Sequence, residues 1–514
     1  MSLSGLCKTF GVEGKLNKYI KAFNSLELFH NPSLLQTFVE YGLQDSVALY
    51  NALIKAQSNI FNDFKLDITS RNIVSTSSLA FNVFRSKFQK IEIPILNNAQ
   101  DSFIRKGYFG GATDYYKKHV KNAKYYDVNS LYPYAMLKDM PGRVIKYHSN
   151  LSNVRLSNFF GFCLAEITIP NTLIPLLPYK SREGNTIFPT GTVVGVYFSE
   201  ELKVLQQKGY SIKLIKGYEF ERVKDLFTGF INHFYALKKN AKGSERALAK
   251  LIMNSSYGNF GRKSELLITK NVPISGLIDY VGTHVVKNII TINDDWCTIL
   301  MKDNLPKDII NKLKITLETE FKNYQHTVNN NVSIAAAITS YSRIHMMDFK
   351  LNNDVIYSDT DSVILGNSID SSLIGPELGQ MKDELNGGCM IECYVLGIKQ
   401  YGFHYNIDGK DIECSIFAGV ARNSINFKDF TKLANGESIF RDLPDRFNRS
   451  FNDLSIIIKP ASITVKAKAA KQLVGNSYIP PHIIDLNHDL DDRSKILKMI
   501  RKYWLLLKTL SEHF

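Results

Sequence analysis

The sequence predicts an α+β fold with about three domains. It has 514 residues, of which 44% are hydrophobic and 22% charged, which is ordinary for a folded chain, and domains average ~150 residues. Residues 1–100 have mostly helical patterns, whereas residues 144–225 mix short strand patterns with proline and glycine turns, as in IPNTLIPLLPYK and FPTGTVVGVYF. Strand-rich and helix-rich stretches are therefore both expected.

The chain has a strong excess of positive charge, which favours negatively charged partners. The formal net charge is +14 and the isoelectric point is about 9.2, a balance typical of proteins that handle nucleic acid. The longest apolar runs, such as WLLL at 504–507, are far shorter than the ~20 residues that span a bilayer, which excludes membrane insertion. The 6 cysteines form no CxxC pair, so we expect reduced thiols in a non-secreted protein.

Local patterns predict the first elements. In the N-terminal region, residues 36–50 form a candidate helix. Further on, the aromatic segment KYY at 124–126 predicts a strand that leads into Asp127. Pro133 then stands where a helix can start, because its fixed φ suits the first turn. A carboxylate at the end of a strand, just before a turn and a helix, is well placed to meet a ligand.

A cationic helical segment follows at residues 234–261. Lys238, Lys242, Arg246 and Lys250 recur every four residues, which on one continuous helix makes a positive stripe. Alternatively, Gly243 and the serine after it break the segment into a two-helix hairpin. In both versions Lys250 shares a face with the residues four and seven positions later, Asn254 and Tyr257.

The remaining segments alternate in type. Residues 262–330 are expected to be strand-rich and then helical, and residues 331–349 (NVSIAAAITSYSRIHMMDF) form a small-residue helix that packs closely. The last hundred residues are predicted to be mainly helical. Between these helices, DVIYSDTDSVIL at 354–365 predicts two strands around an acidic turn. Such a turn is half of a metal site only if another part of the chain supplies a further carboxylate.

Three motifs supply those partners. DVNSLYP at 127–133, KLIMNSSYG at 250–258 and YSDTDS at 357–362 occur in the order that resembles motifs A, B and C of family B DNA polymerases. The resemblance implies a right-hand polymerase fold: a palm of antiparallel sheet plus helices, helical fingers, and a thumb. Nucleotidyl transfer needs hard oxygen ligands for two Mg²⁺ ions and positive groups for the triphosphate.

This resemblance assigns roles residue by residue. Asp127 and Asp361 are the expected metal ligands, with the backbone carbonyl of Val128 as a third and Asp359 as a less direct participant in catalysis. The expected nucleotide-binding residues are Tyr132 as a steric gate against a 2′-hydroxyl, Lys238 and Lys250 on the triphosphate, Asn254, and Tyr257 against the new base pair. Gly258 leaves room for that pair, and Ser130 is expected to contact DNA.

Two shorter patterns narrow the resemblance to protein-primed members. Tyr108, Gly110 and Gly111 match YxGG, and Lys399 and Tyr401 match KxY, a pattern that holds the primer strand; the resemblance implies that the residues of both patterns contact DNA. Residues 144–225 stand where such polymerases have an insertion that contacts DNA and a terminal, priming protein. The expected partners are template and primer DNA, dNTPs and a terminal protein, and the expected setting is a mitochondrial linear plasmid, with a phage as the alternative.

The N-terminal region departs from the family pattern. YGLQD at 41–45 matches the third acidic motif of a 3′-5′ exonuclease, but nothing before it matches the first, DxE, or the second. Because Asp45 alone cannot hold two metals, we expect no proofreading and a truncated ribonuclease H-like remnant. The predicted domains are a remnant at 1–100, palm at 101–143, insertion at 144–225, fingers at 226–262, a second insertion at 263–330, palm at 331–430 and thumb at 431–514.

Two alternatives stay open at the level of sequence. A reverse transcriptase or RNA polymerase also pairs aspartates in a palm, but it has a tighter YxDD and lacks SLYP together with KxxxNSxYG. The second alternative is a catalytically inactive remnant that only binds DNA, which the incomplete exonuclease pattern suggests.

Overall fold

The computed structural model describes most of the chain. The described residues are 2–14, 20–70, 73, 75–181, 184–262, 267–283, 286–302, 330–407, 409–421, 424–450, 455–467 and 469–486. The predicted helical part of the second insertion, at 303–329, and the end of the predicted thumb, at 487–514, lie outside the described residues.

The helices and strands of the described residues are numbered here in chain order. The helices are α1 Leu3–Phe10, α2 Glu27–His30, α3 Pro32–Phe64, α4 Thr76–Val83, α5 Asn98–Lys106, α6 Leu131–Met136, α7 Ser199–Gln207, α8 Thr228–Asn240, α9 Gly243–Ser255, α10 Leu277–Thr283, α11 Val332–Leu351 and α12 Phe427–Ala434. The strands are β1 Thr113–Tyr115, β2 His119–Val128, β3 Met140–His148, β4 Gly161–Ile169, β5 Tyr179–Lys180, β6 Thr186–Ile187, β7 Thr190–Phe198, β8 Ser211–Val223, β9 Leu267–Pro273, β10 Val286–Thr291, β11 Trp296–Lys302, β12 Val355–Asp359, β13 Ser362–Leu365, β14 Met381–Asp383, β15 Met390–Gly397, β16 Gln400–Ile407, β17 Lys410–Phe417, β18 Ile439–Ser450, β19 Ser455–Val465, β20 Gln472–Val474, β21 Ser477–Ile479 and β22 His482–Asp485.

The N-terminal region is mostly helical, as predicted. Helix α3 begins where the Asn31 side chain accepts a 3.1 Å hydrogen bond from the Leu34 amide, with Pro32 in its first turn. It includes the predicted helix at 36–50 and packs on α1 and α2. Its inner face buries Ala48 and Ala52, while its outer face leaves apolar side chains such as Leu43 exposed. None of the helices in the described ranges is long and apolar enough to cross a bilayer.

The main sheet has eight strands and holds the acidic turn predicted at 354–365. The strand order is β1-β12-β13-β2-β15-β16-β17, and β14 also pairs with β2. Strands β12 and β13 form the expected antiparallel hairpin, which we call the acidic hairpin (residues 355–365). Strand β13 pairs with β2 in a register that sets Ser362 opposite Asp127. The sheet therefore brings the two predicted carboxylate-bearing segments next to each other.

A second sheet has five strands, four of which lie in or overlap the predicted insertion. Its order is β22-β7-β4-β8-β3, and helix α7 packs on it. The α+β interpretation of residues 144–225 is therefore confirmed. Strand β22, from near the end of the described chain, pairs in parallel with β7, with His482 opposite Thr190. The sheet is thus completed by a segment far away in sequence.

Helix α11 (Val332–Leu351) is the buried helix predicted from its small residues. Ala335, Ala336 and Ala337 have no exposed surface, which lets neighbouring elements approach its backbone closely. The helix contacts α5, α6, α7 and β3. It therefore connects the N-terminal helices, the second sheet and the main sheet.

The cationic segment forms two helices, not one. Helix α8 ends at Asn240 and α9 starts at Gly243, which has a φ of +60°, and the two helices pack on each other. The two-helix alternative is therefore confirmed, and the uninterrupted stripe is wrong. The strand-rich start of residues 262–330 is also confirmed, by the sheet β10-β11-β9.

The prediction that the last hundred residues are mainly helical is wrong for the described part of that region. It holds the short helix α12 and the strands β18 to β22. The segment SIIIKPASITV at 455–465 is rich in β-branched residues, which favour strands. It pairs with β18 along a long hairpin. None of the 6 cysteines, all of which lie in the described residues, forms a disulfide bond.

Candidate active site

The acidic hairpin is held in place at its tip. Asp359 is the last residue of β12, and Thr360 follows it in the left-handed region, with a φ of +61°. The Thr360 amide donates to the Ala112 carbonyl at 2.9 Å. On the other side, the Val128 amide donates to the Asp361 carbonyl at 2.8 Å. Backbone contacts from two other segments therefore fix the turn that presents Asp361.

Asp127 and Asp361 form an electrostatically strained pair. Burial raises the pKa of Asp127 to about 7, with further contributions from Asp361 and Glu384, while Lys382 and Lys250 act in the opposite direction. Burial also raises the pKa of Asp361, and Asp359 adds to this effect. Neither carboxylate receives a hydrogen bond from another side chain in the described part of the chain. Two partly buried carboxylates close together, whose charges nearby lysines offset only in part, are a site that favours a bound cation.

Asp359 has a different environment. Its Oδ2 accepts from the Lys399 ammonium at 2.5 Å, and its Oδ1 accepts from the Thr113 hydroxyl at 2.9 Å. Its charge is therefore already paired on the protein side. The less direct role expected for Asp359 from the sequence stays a prediction.

The donor set suits magnesium. Two aspartate carboxylates and a nearby backbone carbonyl at Val128 are hard oxygen donors, which Mg²⁺ prefers. Among the described residues, no group of three or more His, Cys, Asp or Glu side chains converges as a metal cage. A pair of carboxylates is nevertheless typical of Mg²⁺ sites that complete their coordination with substrate phosphates and water.

The cationic helices face this pair. Lys238 on α8 donates to the Ser130 hydroxyl at 3.1 Å. Ser130 lies between the end of β2 and the start of α6. Burial lowers the pKa of Lys238, and the positive charges of Lys250 and Arg246 lower it further. Lys250 also acts on Asp127. The predicted phosphate-binding lysines are therefore clustered beside the carboxylates. Ser130, which was expected to contact DNA, accepts a hydrogen bond from Lys238.

The predicted nucleotide-pocket tyrosines also meet. The rings of Tyr132 and Tyr257 stack with centroids 4.2 Å apart and an interplanar angle of 27°. The Tyr108 ring lies against Gly261, where an added Cβ would be 2.5 Å from the Tyr108 hydroxyl oxygen. Asn254 contributes a buried Oδ1 that has no hydrogen-bond partner among the described residues.

The residues of the YxGG and KxY motifs pack against the acidic hairpin. An added Cβ on Gly111 would be 2.6 Å from Thr360 Cγ2, so only glycine fits this approach, while the Gly110 carbonyl accepts from Arg343 at 2.7 Å. Tyr401 is only 8% exposed and its ring packs on Tyr357 at 4.9 Å. The DNA contacts expected for these residues stay predictions.

Some residues of the site were missed in the sequence. Lys382 lies opposite Asp127 across the β14–β2 pair and forms an ion pair with Glu384 at 2.7 Å. The buried pair Arg343 and Glu201 joins α11 to α7. Side chains two positions apart in an extended segment lie on the same side, so the sequence could have indicated the contact between Lys382 and Glu384. Nothing in the sequence indicates that their segment pairs with β2.

An antiparallel sheet that brings two aspartates close to clustered lysines is the kind of arrangement that phosphoryl-transfer enzymes use to bind phosphates. A sequence profile described as DNA polymerase type B, organellar and viral, matches residues 16–354, about two thirds of the chain. The chain therefore belongs to the type B DNA polymerases of organelles and viruses.

Individual relatives agree with this family. A probable DNA polymerase of Podospora anserina is 29% identical over 485 residues, covering 84% of this chain and 40% of the relative. A probable DNA polymerase of Neurospora intermedia is 33% identical over 408 residues, covering 75% and 39%. The chain thus spans about two fifths of the length of these fungal relatives. The DNA polymerase of Bacillus phage phi29 is 28% identical over 208 residues, covering 36% of this chain and 35% of the phage protein.

The same phage polymerase has a similar fold. Its orthorhombic crystal form matches with a TM-score of 0.65 and 18% sequence identity, covering 91% of this chain and 78% of that chain. A structure of it with primer-template DNA and incoming nucleotides matches with a TM-score of 0.63. The right-hand polymerase fold expected from the sequence is therefore confirmed.

Proposed function

We propose that this chain is a DNA-directed DNA polymerase that adds dNTPs to a primer 3′-hydroxyl with release of pyrophosphate. The observation that supports this most directly is the meeting of Asp127 and Asp361 opposite Lys238 and Lys250. Phosphoryl transfer depends mainly on positioning and on neutralising charge. A site with paired carboxylates on one side and clustered ammonium groups on the other provides both.

Each residue has a defined task in this proposal. Asp127, Asp361 and the Val128 carbonyl would hold two Mg²⁺ ions, which supply charge neutralisation at the reacting phosphate when bound. Lys250 and Lys238 bind the triphosphate as point charges. The stacked rings of Tyr132 and Tyr257 form a flat wall for the base and sugar of the incoming nucleotide.

The domain roles follow from the same proposal. The main sheet with α6 and α11 is the palm, helices α8 and α9 are the fingers, and the hairpin β18–β19 belongs to the thumb. The five-stranded sheet is the insertion that contacts DNA and a terminal protein. Residues 1–100 correspond to part of an exonuclease domain, and because they match only the third of its three acidic motifs we expect no proofreading from them. Fungal and phage relatives favour protein-primed replication of a linear plasmid in mitochondria as the setting.

The test is primer extension by the purified chain with Mg²⁺ and dNTPs. We expect template-directed extension by the wild type and none by Asp361→Ala, while the exposed Asp63→Ala on α3 serves as a control with normal activity. Extension that survives in Asp361→Ala contradicts the metal site. A wild type that binds primer-template DNA but never extends it favours the second candidate, a catalytically inactive protein that only binds DNA.

A further inference from the structure

A buried ion pair joins the second sheet to the helix behind the active site. Arg343 on α11 donates through Nε and Nη2 to the two carboxylate oxygens of Glu201 on α7, at 2.6 Å each. The side chains are 2% and 0% exposed. A bidentate pair of this kind fixes the plane of the guanidinium as well as its position.

The remaining donors of Arg343 hold a backbone segment in place. Nη1 donates to the Phe109 carbonyl at 3.0 Å and to the Gly110 carbonyl at 2.7 Å, and Nη2 also donates to the Ser340 hydroxyl at 2.9 Å. The Phe109 ring stacks on Tyr197 of β7, with centroids 5.6 Å apart and an angle of 11°. The segment at 109–113, which we call the bracing loop, is therefore fixed to the second sheet.

The bracing loop in turn contacts the acidic hairpin at three points. Gly111 lies directly against the Thr360 side chain. The Ala112 carbonyl accepts from the Thr360 amide at 2.9 Å, and the Thr113 hydroxyl donates to Asp359 at 2.9 Å. A continuous set of contacts therefore runs from Glu201 through Arg343 to the turn between Asp359 and Asp361.

We propose that Arg343 is a positioning residue that sets the orientation of the Asp359–Asp361 turn, and that Glu201 of the inserted sheet holds Arg343 in the orientation this requires. Arg343 is 3% exposed, so it acts through the bracing loop. The expected effect on catalysis rests on the proposed polymerase function. The expected effect on the local stability of the acidic hairpin rests on the contacts alone.

The first experiment changes the ion pair without leaving a lone buried charge. Removing one partner of a buried pair costs several kcal/mol, whereas replacing both with apolar residues is often tolerated. We therefore compare Glu201→Leu combined with Arg343→Met against Glu200→Gln, a change at the neighbouring position of α7, whose carboxylate pairs with Lys203. Thermal unfolding establishes that both variants are folded.

Two measurements are made on these variants. Hydrogen exchange of a peptide that covers residues 354–365 is expected to be at least ~10-fold faster at the Thr360 amide in the double variant and unchanged in Glu200→Gln. In primer extension, kcat is expected to fall by ~10- to 100-fold and the Mg²⁺ concentration for half-maximal rate to rise, with little change in the KM for dNTP. Unchanged exchange and unchanged Mg²⁺ dependence in the folded double variant overturn the proposal.

The second experiment tests the contact between the bracing loop and the hairpin. Gly111→Ala is expected to reproduce the faster exchange and the higher Mg²⁺ requirement, because its Cβ would overlap Thr360. Thr360→Gly removes the overlapping atoms and suits the positive φ, so adding it to Gly111→Ala is expected to restore part of the loss. No effect of Gly111→Ala on either measurement overturns the proposal.

These measurements separate the two proposals. If the wild type does not extend primers but the exchange rates change as expected, the polymerase function fails and the positioning role stands. If the wild type extends primers and the variants match it in exchange and in Mg²⁺ dependence, the positioning role fails and the polymerase function stands.

Discussion

Replacing Asp127 with Asn is expected to stabilise the metal-free protein while removing a carboxylate that the proposed reaction needs. Asp127 has a pKa raised from its ordinary value of 3.8 to about 7, mainly through burial and next through Asp361. The folded protein therefore binds a proton more tightly at this group than the unfolded chain does. Its contribution to stability is fully present below pH 3.8 and is lost as the pH rises to about 7.

The size of the effect follows from this shift. Each pKa unit corresponds to ~1.4 kcal/mol, so a rise from 3.8 to about 7 sets an upper limit of ~4 kcal/mol. Asp127 is partly exposed, and solvent screens its charge, so we expect ~1 to 2 kcal/mol at pH 8. Asn is uncharged at every pH, and the Asp127→Asn variant should therefore unfold at higher denaturant concentration than the wild type.

The assay is urea unfolding in EDTA at pH 8 and at pH 5, with Asp63→Asn as an exposed control. The gain in the free energy of unfolding of Asp127→Asn over the wild type should be smaller at pH 5, because Asp127 is then mostly protonated and little buried charge is present. Adding Mg²⁺ at pH 8 should stabilise the wild type more than the variant, since a ligand stabilises the state that binds it. An Asp127→Asn variant that is no more stable than the wild type in EDTA at pH 8 refutes the electrostatic argument.

Three further predictions concern other parts of the chain. Lys250→Ala should raise the KM for dNTP by ~10-fold or more in primer extension while Lys250→Arg retains part of the affinity, and equal KM values in the two variants would contradict a phosphate contact. Tyr132→Val should allow incorporation of ribonucleotides, measured as the ratio of kcat/KM for dNTP and rNTP, and an unchanged ratio rules out a steric gate there. Gly191→Ala should destabilise the protein by ~2 to 4 kcal/mol in urea unfolding, because its Cβ would be 2.0 Å from the Ile483 carbonyl oxygen, whereas Gly209→Ala, also at positive φ but in open space, should cost ~1 kcal/mol.

The parts of the site that are local in sequence could be predicted. Turn residues between two β-prone runs indicated the acidic hairpin, and Pro133 indicated the start of α6, because both signals depend on a few neighbouring residues. The pairing of Asp127 with Asp361 came from the order of three motifs, and the register of β2 with β13 agrees with it. In the last hundred residues, the β-branched run SIIIKPASITV of β19 indicates a strand, contrary to the helical prediction.

The long-range contacts could not be predicted. Arg343 and Glu201 meet across 142 positions of sequence, and nothing near either residue indicates the other. The same holds for Lys399 and Asp359, since the ion pair depends on the tight turn between β15 and β16 that presents Lys399. Contacts of this kind depend on how sheets and helices assemble, which is a property of tertiary packing.

The late arrival of strand β22 has a consequence for how the chain folds during synthesis. His482 contacts Thr190, which lies 292 positions earlier, so the second sheet cannot be completed until residues 482–485 have left the ribosome. At ~5 to 20 residues per second, this leaves β7 as an unpaired edge for tens of seconds. An open edge strand can pair with other chains, so this interval is when the nascent protein is most exposed to aggregation.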